Sequence, residues 1–308
     1  MIVLDQLSHR YRGGALALDS LSLEIERGAC FGLIGANGAG KTTTLRILAT
    51  LLAPSSGRAT VDSHDVTAAS DRVRPRIGYM PETYTLVPEL TVRDLLDYVA
   101  ALYGFRGSDK QRRVEAVLSL VDLEGRADHP CGSLSRGLQQ RVALARTLVH
   151  DPPVLILDEP SSGLDPAARI EVRHILRDLN ASGKTIVLSS HILPELSEVC
   201  SSLGILERGR LVLAGEVGEL LRRMTGPREL EIEVDGDAAA AAALLRPFPG
   251  VEQVDVDGAR ARVRFSGPRQ ALPDLVRELV RNGVLILFFG ERRTSLEEIF
   301  LNAGAFET

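Results

Sequence analysis

The sequence is short of several things, and each shortage narrows what the chain can be. Cysteine is scarce: Cys30, Cys131 and Cys200 are odd in number, widely scattered and form no Cys-x-x-Cys pair. That argues against a disulfide framework or a zinc site and suits reduced thiols in a cytosolic protein. No apolar run approaches the roughly eighteen residues needed to cross a bilayer. Work at a membrane would therefore need another subunit to do the spanning. The N-terminus, Met1-Ile2-Val3-Leu4-Asp5, has no basic region followed by a long apolar stretch, so no signal peptide is expected. A formal net charge of −5 gives no overall attraction to nucleic acid or anionic lipid. Aromatic residues make up only 4% of the chain, which makes Tyr11 conspicuous. Lysine occurs only at positions 41, 110 and 184, with arginine everywhere else. This reads as a GC-rich coding bias and hence a bacterial source. What remains is ordinary globular composition over 308 residues, with room for one large domain and a smaller one.

Against that background one stretch stands out. Gly35-Ala36-Asn37-Gly38-Ala39-Gly40-Lys41-Thr42 matches a Gly, four free positions, then Gly-Lys-Thr. A loop that cradles an anion needs glycines, because its backbone must turn tightly enough for successive N–H groups to converge. Lys41 would add a point charge at the β- and γ-phosphates, and the Thr42 hydroxyl would join a Mg²⁺ shell. The apolar run Cys30 to Ile34 before the loop reads as a buried strand. Leu45, Leu48, Leu51 and Leu52 after it fall at helical spacing up to Pro54. Strand, loop and helix start stand in the order that aims a positive helix end at the anion.

The rest of the chain alternates in texture. Residues 2–29 read as antiparallel strands, with Leu21, Leu23 and Ile25 alternating against Ser22 and Glu24. More strand follows at 57–66 and 77–80. From Thr91, which forms a capping box with Asp94, the texture is helical to about residue 150. Leu95, Leu96, Val99, Leu102 and Tyr103 form one apolar face there, and Val114, Val117, Leu118 and Val121 another. Val154 to Leu157 and Thr185 to Ser189 are continuous apolar runs of the kind found in central parallel strands. Gly226-Pro227 looks like a linker. Beyond it, strands at 230–234, 251–256, 259–265 and 284–289 alternate with helices at 238–243, 272–280 and 295–301. The turn at Asp257-Gly258 joins the middle pair. The division expected is a domain over 1–222, with a helical segment at about 91–150, and a small α+β domain over 228–308.

Asp158 and Glu159 close the apolar strand 154–157. Two carboxylates at a buried strand end are costly unless a cation pairs with them. A Mg²⁺ brought by the phosphate loop suits Asp158, which leaves Glu159 to deprotonate an attacking water.

Leu134-Ser135-Arg136-Gly137-Leu138-Gln139-Gln140-Arg141 completes the set. Together with the loop, Asp158-Glu159, Ser162-Gly163-Leu164-Asp165 and Ser190-His191, it resembles the ATP-binding cassette ATPases, the motor subunits of ABC transporters. The resemblance covers about residues 1–222. It implies an α/β P-loop fold with a parallel-sheet core, an antiparallel β subdomain and a helical insertion. It also implies ATP and Mg²⁺ as cofactors. ATP would be bound by Gly35, Asn37, Gly38, Gly40, Lys41, Thr42 and Thr43, with Tyr11 stacked on adenine. Ser135 and Gly137 would reach the γ-phosphate held by a second cassette, expected to be an identical chain. Asp165 would link the two sites, His191 would contact the γ-phosphate, and Lys41, Glu159 and His191 would carry catalysis. Metal ligands would be Thr42, Asp158 and Glu82. Glu82 stands where most members have a glutamine, Arg136 where they have a glycine and Leu138 where they have a glutamine. Arg136 would either reach a phosphate in trans or be solvated, the solvated reading being favoured.

The tail, ending Thr294-Ser295-Leu296-Glu297-Glu298-Ile299-Phe300-Leu301, is similar to the C-terminal extension of bacterial drug-export cassettes of the daunorubicin-resistance type. That implies a chain at the inner face of the cell membrane, held there by a separate transmembrane permease that exports a drug, lipid or other amphipathic compound. The tail itself would serve assembly or regulation. The alternative is a non-transport cassette acting on DNA or ribosomes. DNA-repair members carry long coiled coils between loop and signature, whereas Lys41 and Ser135 stand only 94 positions apart. No nucleic-acid partner is expected. A plain kinase would need neither the signature nor Asp165 and His191.

Overall fold

The computed structural model describes residues 1–224 and 228–292. The linker expected at 226–227 and the last helix expected at 295–301 lie outside the described residues, 228 being where the second stretch begins. The chain divides into two compact units, Met1–Val217 and Gly218–Thr308.

The first unit holds two sheets. Strands β1 (Ile2–Arg10), β2 (Leu16–Ile25), β4 (Ser56–Val61) and β5 (His64–Asp65) form an antiparallel sheet in the order β2-β1-β4-β5. Strands β3 (Cys30–Ile34), β6 (Ile77–Met80), β7 (Val154–Leu157), β8 (Thr185–Ser190), β9 (Ser202–Glu207) and β10 (Arg210–Glu216) form the second, in the order β10-β9-β3-β8-β7-β6. All neighbours in it are parallel except β10 and β9. Every residue of β3, β7 and β8 is buried, which is why these strands read as unbroken apolar runs instead of alternating ones.

Seven helices accompany the sheets: α1 (Lys41–Leu48), α2 (Ser70–Val73), α3 (Val92–Leu102), α4 (Gly107–Leu120), α5 (Arg136–Leu148), α6 (Pro166–Ala181) and α7 (Leu193–Val199). Three of them, α3 to α5, stand between β6 and β7. One apolar core joins Leu4, Leu18 and Val61 of the antiparallel sheet to Leu33, Ile156 and Val187 of the parallel one. Leu45, Ile47 and Leu48 of α1 belong to the same core. Burying each of those three side chains contributes about 1.5–3 kcal/mol, so α1 is fixed at its loop end by packing as well as by hydrogen bonds.

Two apolar patterns overshoot the helices they suggested. The spacing of Leu51 and Leu52 continues α1, yet that helix stops at Leu48 and Leu51 is exposed. Thr50 takes φ +61°, a left-handed conformation that no helix interior accommodates. Likewise Leu95, Leu96 and Val99 of α3 are buried, whereas Leu102 and Tyr103 are exposed at its end. The Tyr103 ring stacks on His150 there, with centroids 3.9 Å apart. Thr91 caps α3 as expected, accepting from the Asp94 N–H at 3.0 Å.

In the second unit, helix α8 (Val217–Met224) begins at the boundary. Strands β11 (Arg228–Val234), β12 (Val251–Asp257), β13 (Arg260–Phe265) and β14 (Ile286–Arg292) form an antiparallel sheet in the order β12-β13-β11-β14. Helices α9 (Ala239–Leu245) and α10 (Leu272–Arg281) share its core, around Leu230, Ile232, Val263 and Phe265. The hairpin turn lies one residue later than Asp257-Gly258, because Asp257 pairs with Arg260; Gly258, with φ +59°, and Ala259 make the bend. Strand β14 starts two residues later than its apolar pattern, since the Val284 N–H is used by Leu279 at the end of α10.

Candidate active site

The parallel strands β3, β7 and β8 are neighbours, so their C-terminal ends deliver three segments to one edge of the sheet, the usual ligand side of such sheets. From β3 comes the Gly-rich loop. A Cβ on Gly35 would stand 2.5 Å from the Leu206 carbonyl oxygen. One on Gly40, where φ is +109°, would stand 2.7 Å from that of Ala17. Both positions therefore require glycine. Lys41 opens α1 and is buried. Its Nζ donates to the Gly35 carbonyl at 2.6 Å and the Ala36 carbonyl at 3.4 Å, which holds the ammonium over the loop. Gly38 has φ +83°, and Asn37 beside it is exposed.

From β7 come the two carboxylates. Asp158 is 1% exposed. Its Oδ1 accepts from the Thr42 hydroxyl at 3.2 Å and the Ser189 hydroxyl at 2.7 Å. Among the described residues no cationic side chain pairs with it. A buried carboxylate without a cation is costly, and two hard oxygen donors on adjoining elements suit Mg²⁺, which takes few protein ligands and keeps phosphate and water oxygens. Consistent with that, no cluster of three or more His, Cys, Asp or Glu able to hold a metal by itself exists among the described residues. Glu159 has φ +49°, rare for a residue with a long side chain. That backbone turn leaves its carboxylate 3.5 Å from Lys41 Nζ through Oε1 and 3.0 Å from His191 Nδ1 through Oε2.

From β8 come Ser189 and His191. Ser189 is fully buried; while donating to Asp158 it accepts from the Glu159 N–H at 2.9 Å. One hydroxyl thus sets both carboxylates. His191 is half exposed, and its Nδ1–H tautomer donates to Glu159. Lys41, Thr42, Asp158, Glu159 and His191, expected to act together, are brought together.

The other expected residues lie near the loop or apart from it. The Tyr11 hydroxyl is 3.1 Å from the Thr43 Oγ1, and its ring meets His9 edge-on. The tyrosine stands beside the start of α1 with a surface still exposed for stacking. Ser135 is the N-cap of α5, accepting from the Leu138 N–H at 3.4 Å. Asp165 is the N-cap of α6, accepting from the Ala168 N–H at 3.0 Å. Gly137 allows those two helices to approach, since a Cβ there would lie 2.8 Å from the Ala168 Cβ. Glu82 is exposed beyond β6, and among the described residues no hydrogen bond or ion pair joins it to Thr42 or Asp158. Arg136 is exposed, as the solvated reading expects, and its guanidinium lies beside Gly163, within 2.2 Å of where a Cβ would be.

Three side chains beside the site, Ser189, Gln140 and Tyr84, carry little signal in the sequence. Ser189 left only the faint signal of a hydroxyl inside an apolar strand. Gln140 lies four residues after the exposed Arg136 and four before the buried Leu144, and the sequence does not show to which side of that row it belongs. It is buried. It accepts from the Tyr84 hydroxyl at 2.8 Å and donates through Nε2 to the Pro160 carbonyl. Burial pushes the Tyr84 phenol above its ordinary value of 10.0, against the pull of Arg136 and Arg146, which keeps it a donor at neutral pH. Cys30 and Cys200, distant in sequence, are buried with sulfurs 3.8 Å apart and are both free thiols.

Comparison with known proteins supplies the setting. The family profile described as "ABC transporter" matches residues 18–162, and that described as "ATP-binding protein DrrA1-3-like, C-terminal domain" matches 215–303. The Nod factor export ATP-binding protein I of Ralstonia nicotianae is 34% identical over 98% of this chain and 92% of its own. The protein of the same name from Burkholderia pseudomallei is 36% identical over 97% and 95%. Among solved structures, cbiO1 of Clostridium perfringens, part of the ABC transporter complex cbiONQ, is similar with a TM-score of 0.66. It is 28% identical, covering 73% of this chain and 94% of its own. A dimeric ATP-binding cassette solved in a post-hydrolysis state with ADP and Pi is similar with a TM-score of 0.64. It is 27% identical over 70% and 99%.

Proposed function

We propose a division of labour among the residues of this chain, which belongs to the ABC transporter family as an ATP-binding subunit of the export type. The chain is an ATPase, and hydrolysis powers a separate membrane permease; nothing supports the alternative of a cassette that works on DNA or ribosomes. The observation that carries the residue assignment is the buried group Lys41–Glu159 and Thr42–Asp158 at the loop, tied together by Ser189.

In this reading the loop N–H groups and Lys41 bind the β- and γ-phosphates. Thr42 and Asp158 would hold a Mg²⁺ brought with the nucleotide, which would supply positive charge to the phosphate oxygens. Glu159 takes the proton of the attacking water at its carboxylate. His191, through Nδ1, fixes which way that carboxylate faces. Tyr11 offers its ring to adenine. The exposed helix start at Ser135 and Gly137 meets the γ-phosphate of a second, identical chain, since a hydroxyl, free N–H groups and a helix dipole all favour an anion. ATP held by both faces closes the dimer, and hydrolysis removes that differential binding.

The permease docks near Glu82 and α3, where Tyr98 and Leu102 are exposed. Among the described residues no helix is long and apolar enough to cross a membrane, and the chain sits at the cytoplasmic face through that partner. The cargo is an amphipathic compound, a drug or lipid, and relatives named for export support the direction of transport. The second unit serves assembly or regulation, as it contributes none of these groups.

The test is Glu159→Gln. Hydrolysis should fall by about 10²–10⁴-fold, the usual contribution of a positioned base, while ATP drives a stable dimer on sizing chromatography. A variant that still turns over, or that stays monomeric with ATP, overturns the assignment.

A further inference from the structure

We propose that Gln140 is a positioning residue for hydrolysis, with Tyr84 fixing the orientation of its amide; this rests on the reading of Glu159 as the group that activates water. The Glu159 backbone lies in the left-handed region at φ +49°, a conformation that persists only where the surroundings hold it on both sides. On the N-terminal side, the Glu159 N–H is held by Ser189 of β8. On the C-terminal side, the Pro160 carbonyl is held by Gln140 of α5. Two separate elements therefore aim one carboxylate.

The amide of Gln140 has unlike ends, and burial forbids leaving either unpaired. With the Tyr84 O–H donating to Oε1, only the Nε2 end can face Pro160. Without that hydroxyl the amide is free to flip and to set a carbonyl against a carbonyl. Helix α5 touches the same turn at one further point and the helix that follows it, α6, at another. Arg136 packs over Gly163, and Gly137 lies against Ala168. The turn 159–165 thus follows α5, whose first residues face the second cassette. Tyr84 stands two residues after Glu82, on the segment assigned to the permease. Through Gln140, both partners act on the aim of Glu159: the permease by way of Tyr84, the second cassette by way of α5.

The experiment measures ATP hydrolysis by the full chain carrying Gln140→Glu, Gln140→Leu, Tyr84→Phe, or Tyr84→Phe with Gln140→Leu. Gln140→Glu replaces the donor with an oxygen and should lower kcat about tenfold, with the KM for ATP held within about twofold. Tyr84→Phe, which removes one hydroxyl, should lower kcat about threefold. The double variant should be no slower than Gln140→Leu alone, because the tyrosine acts through the amide. A wild-type kcat in Gln140→Glu with only a lower melting temperature would overturn the proposal, as would losses that multiply in the double variant. If Glu159→Gln hydrolyses normally, the functional reading itself fails. If Glu159→Gln is inactive while the Gln140 and Tyr84 variants match wild type, this inference alone fails.

Discussion

The two units of this chain bury different things. The first buries Lys41, Gln140, Arg141, Asp158, Glu159, Ser189 and other polar side chains alongside its apolar core. The second, among the described residues, buries only apolar ones: Leu230, Ile232, Val263, Phe265, Leu275 and their neighbours. All six histidines, all three lysines and all three cysteines belong to the first unit as well. A buried polar group is stable only when partners satisfy it, so each one fixes its neighbours in return. The first unit therefore holds a preorganised charge cluster, whereas the described core of the second is apolar.

That contrast can be broken at three points. Lys41→Ala removes a buried cation from the loop and from Glu159. Truncating one member of a buried charged pair costs about 2–5 kcal/mol, so ATP affinity should fall at least thirtyfold in a calorimetric titration; unchanged affinity would mean that the loop is not the phosphate site. Phe265→Ala empties the largest fully buried position among the described residues, and such a change costs about 3–5 kcal/mol. Denaturant unfolding should show that loss while ATP affinity stays within twofold. A drop in affinity would mean that the units are not energetically separate.

The smallest effect is set by pH. Burial lowers the pKa of His150 below its ordinary 6.5, with its Nε2 on the Ile77 carbonyl and its ring on Tyr103. The neutral ring is thus favoured in the folded state. Its contribution is complete above pH 6.5 and is lost as pH falls toward the lowered value, at no more than about 1.4 kcal/mol per pH unit. Stability curves should show this loss between pH 7 and 5 in the wild type and lack it in His150→Asn. A second-unit transition that moved in the same window would contradict the comparison, since that unit has no histidine.

Much of the fold was legible because its signals are local. Continuous apolar runs marked β3, β7 and β8, and the Thr91–Asp94 spacing marked the start of α3. Local signals also misled at element ends. Leu51 keeps helical spacing after Thr50 has already turned the chain, and the hairpin bend slipped by one residue because register depends on the partner strand.

The sequence by itself singled out residues 35–42 as a loop suited to an anion. Glycines at this spacing, a lysine and a hydroxyl residue on one short loop admit few other uses. It also determined the order of loop, signature and carboxylates. Only the tertiary structure decided which side chains hold Glu159: Ser189 and His191 stand 30 and 32 positions away, and Gln140 grips the next carbonyl from another helix. These contacts arise because β8 lies between β3 and β7 and α5 packs against β6 and α6. Strand order is a property of the whole sheet, and no spacing within the chain encodes it.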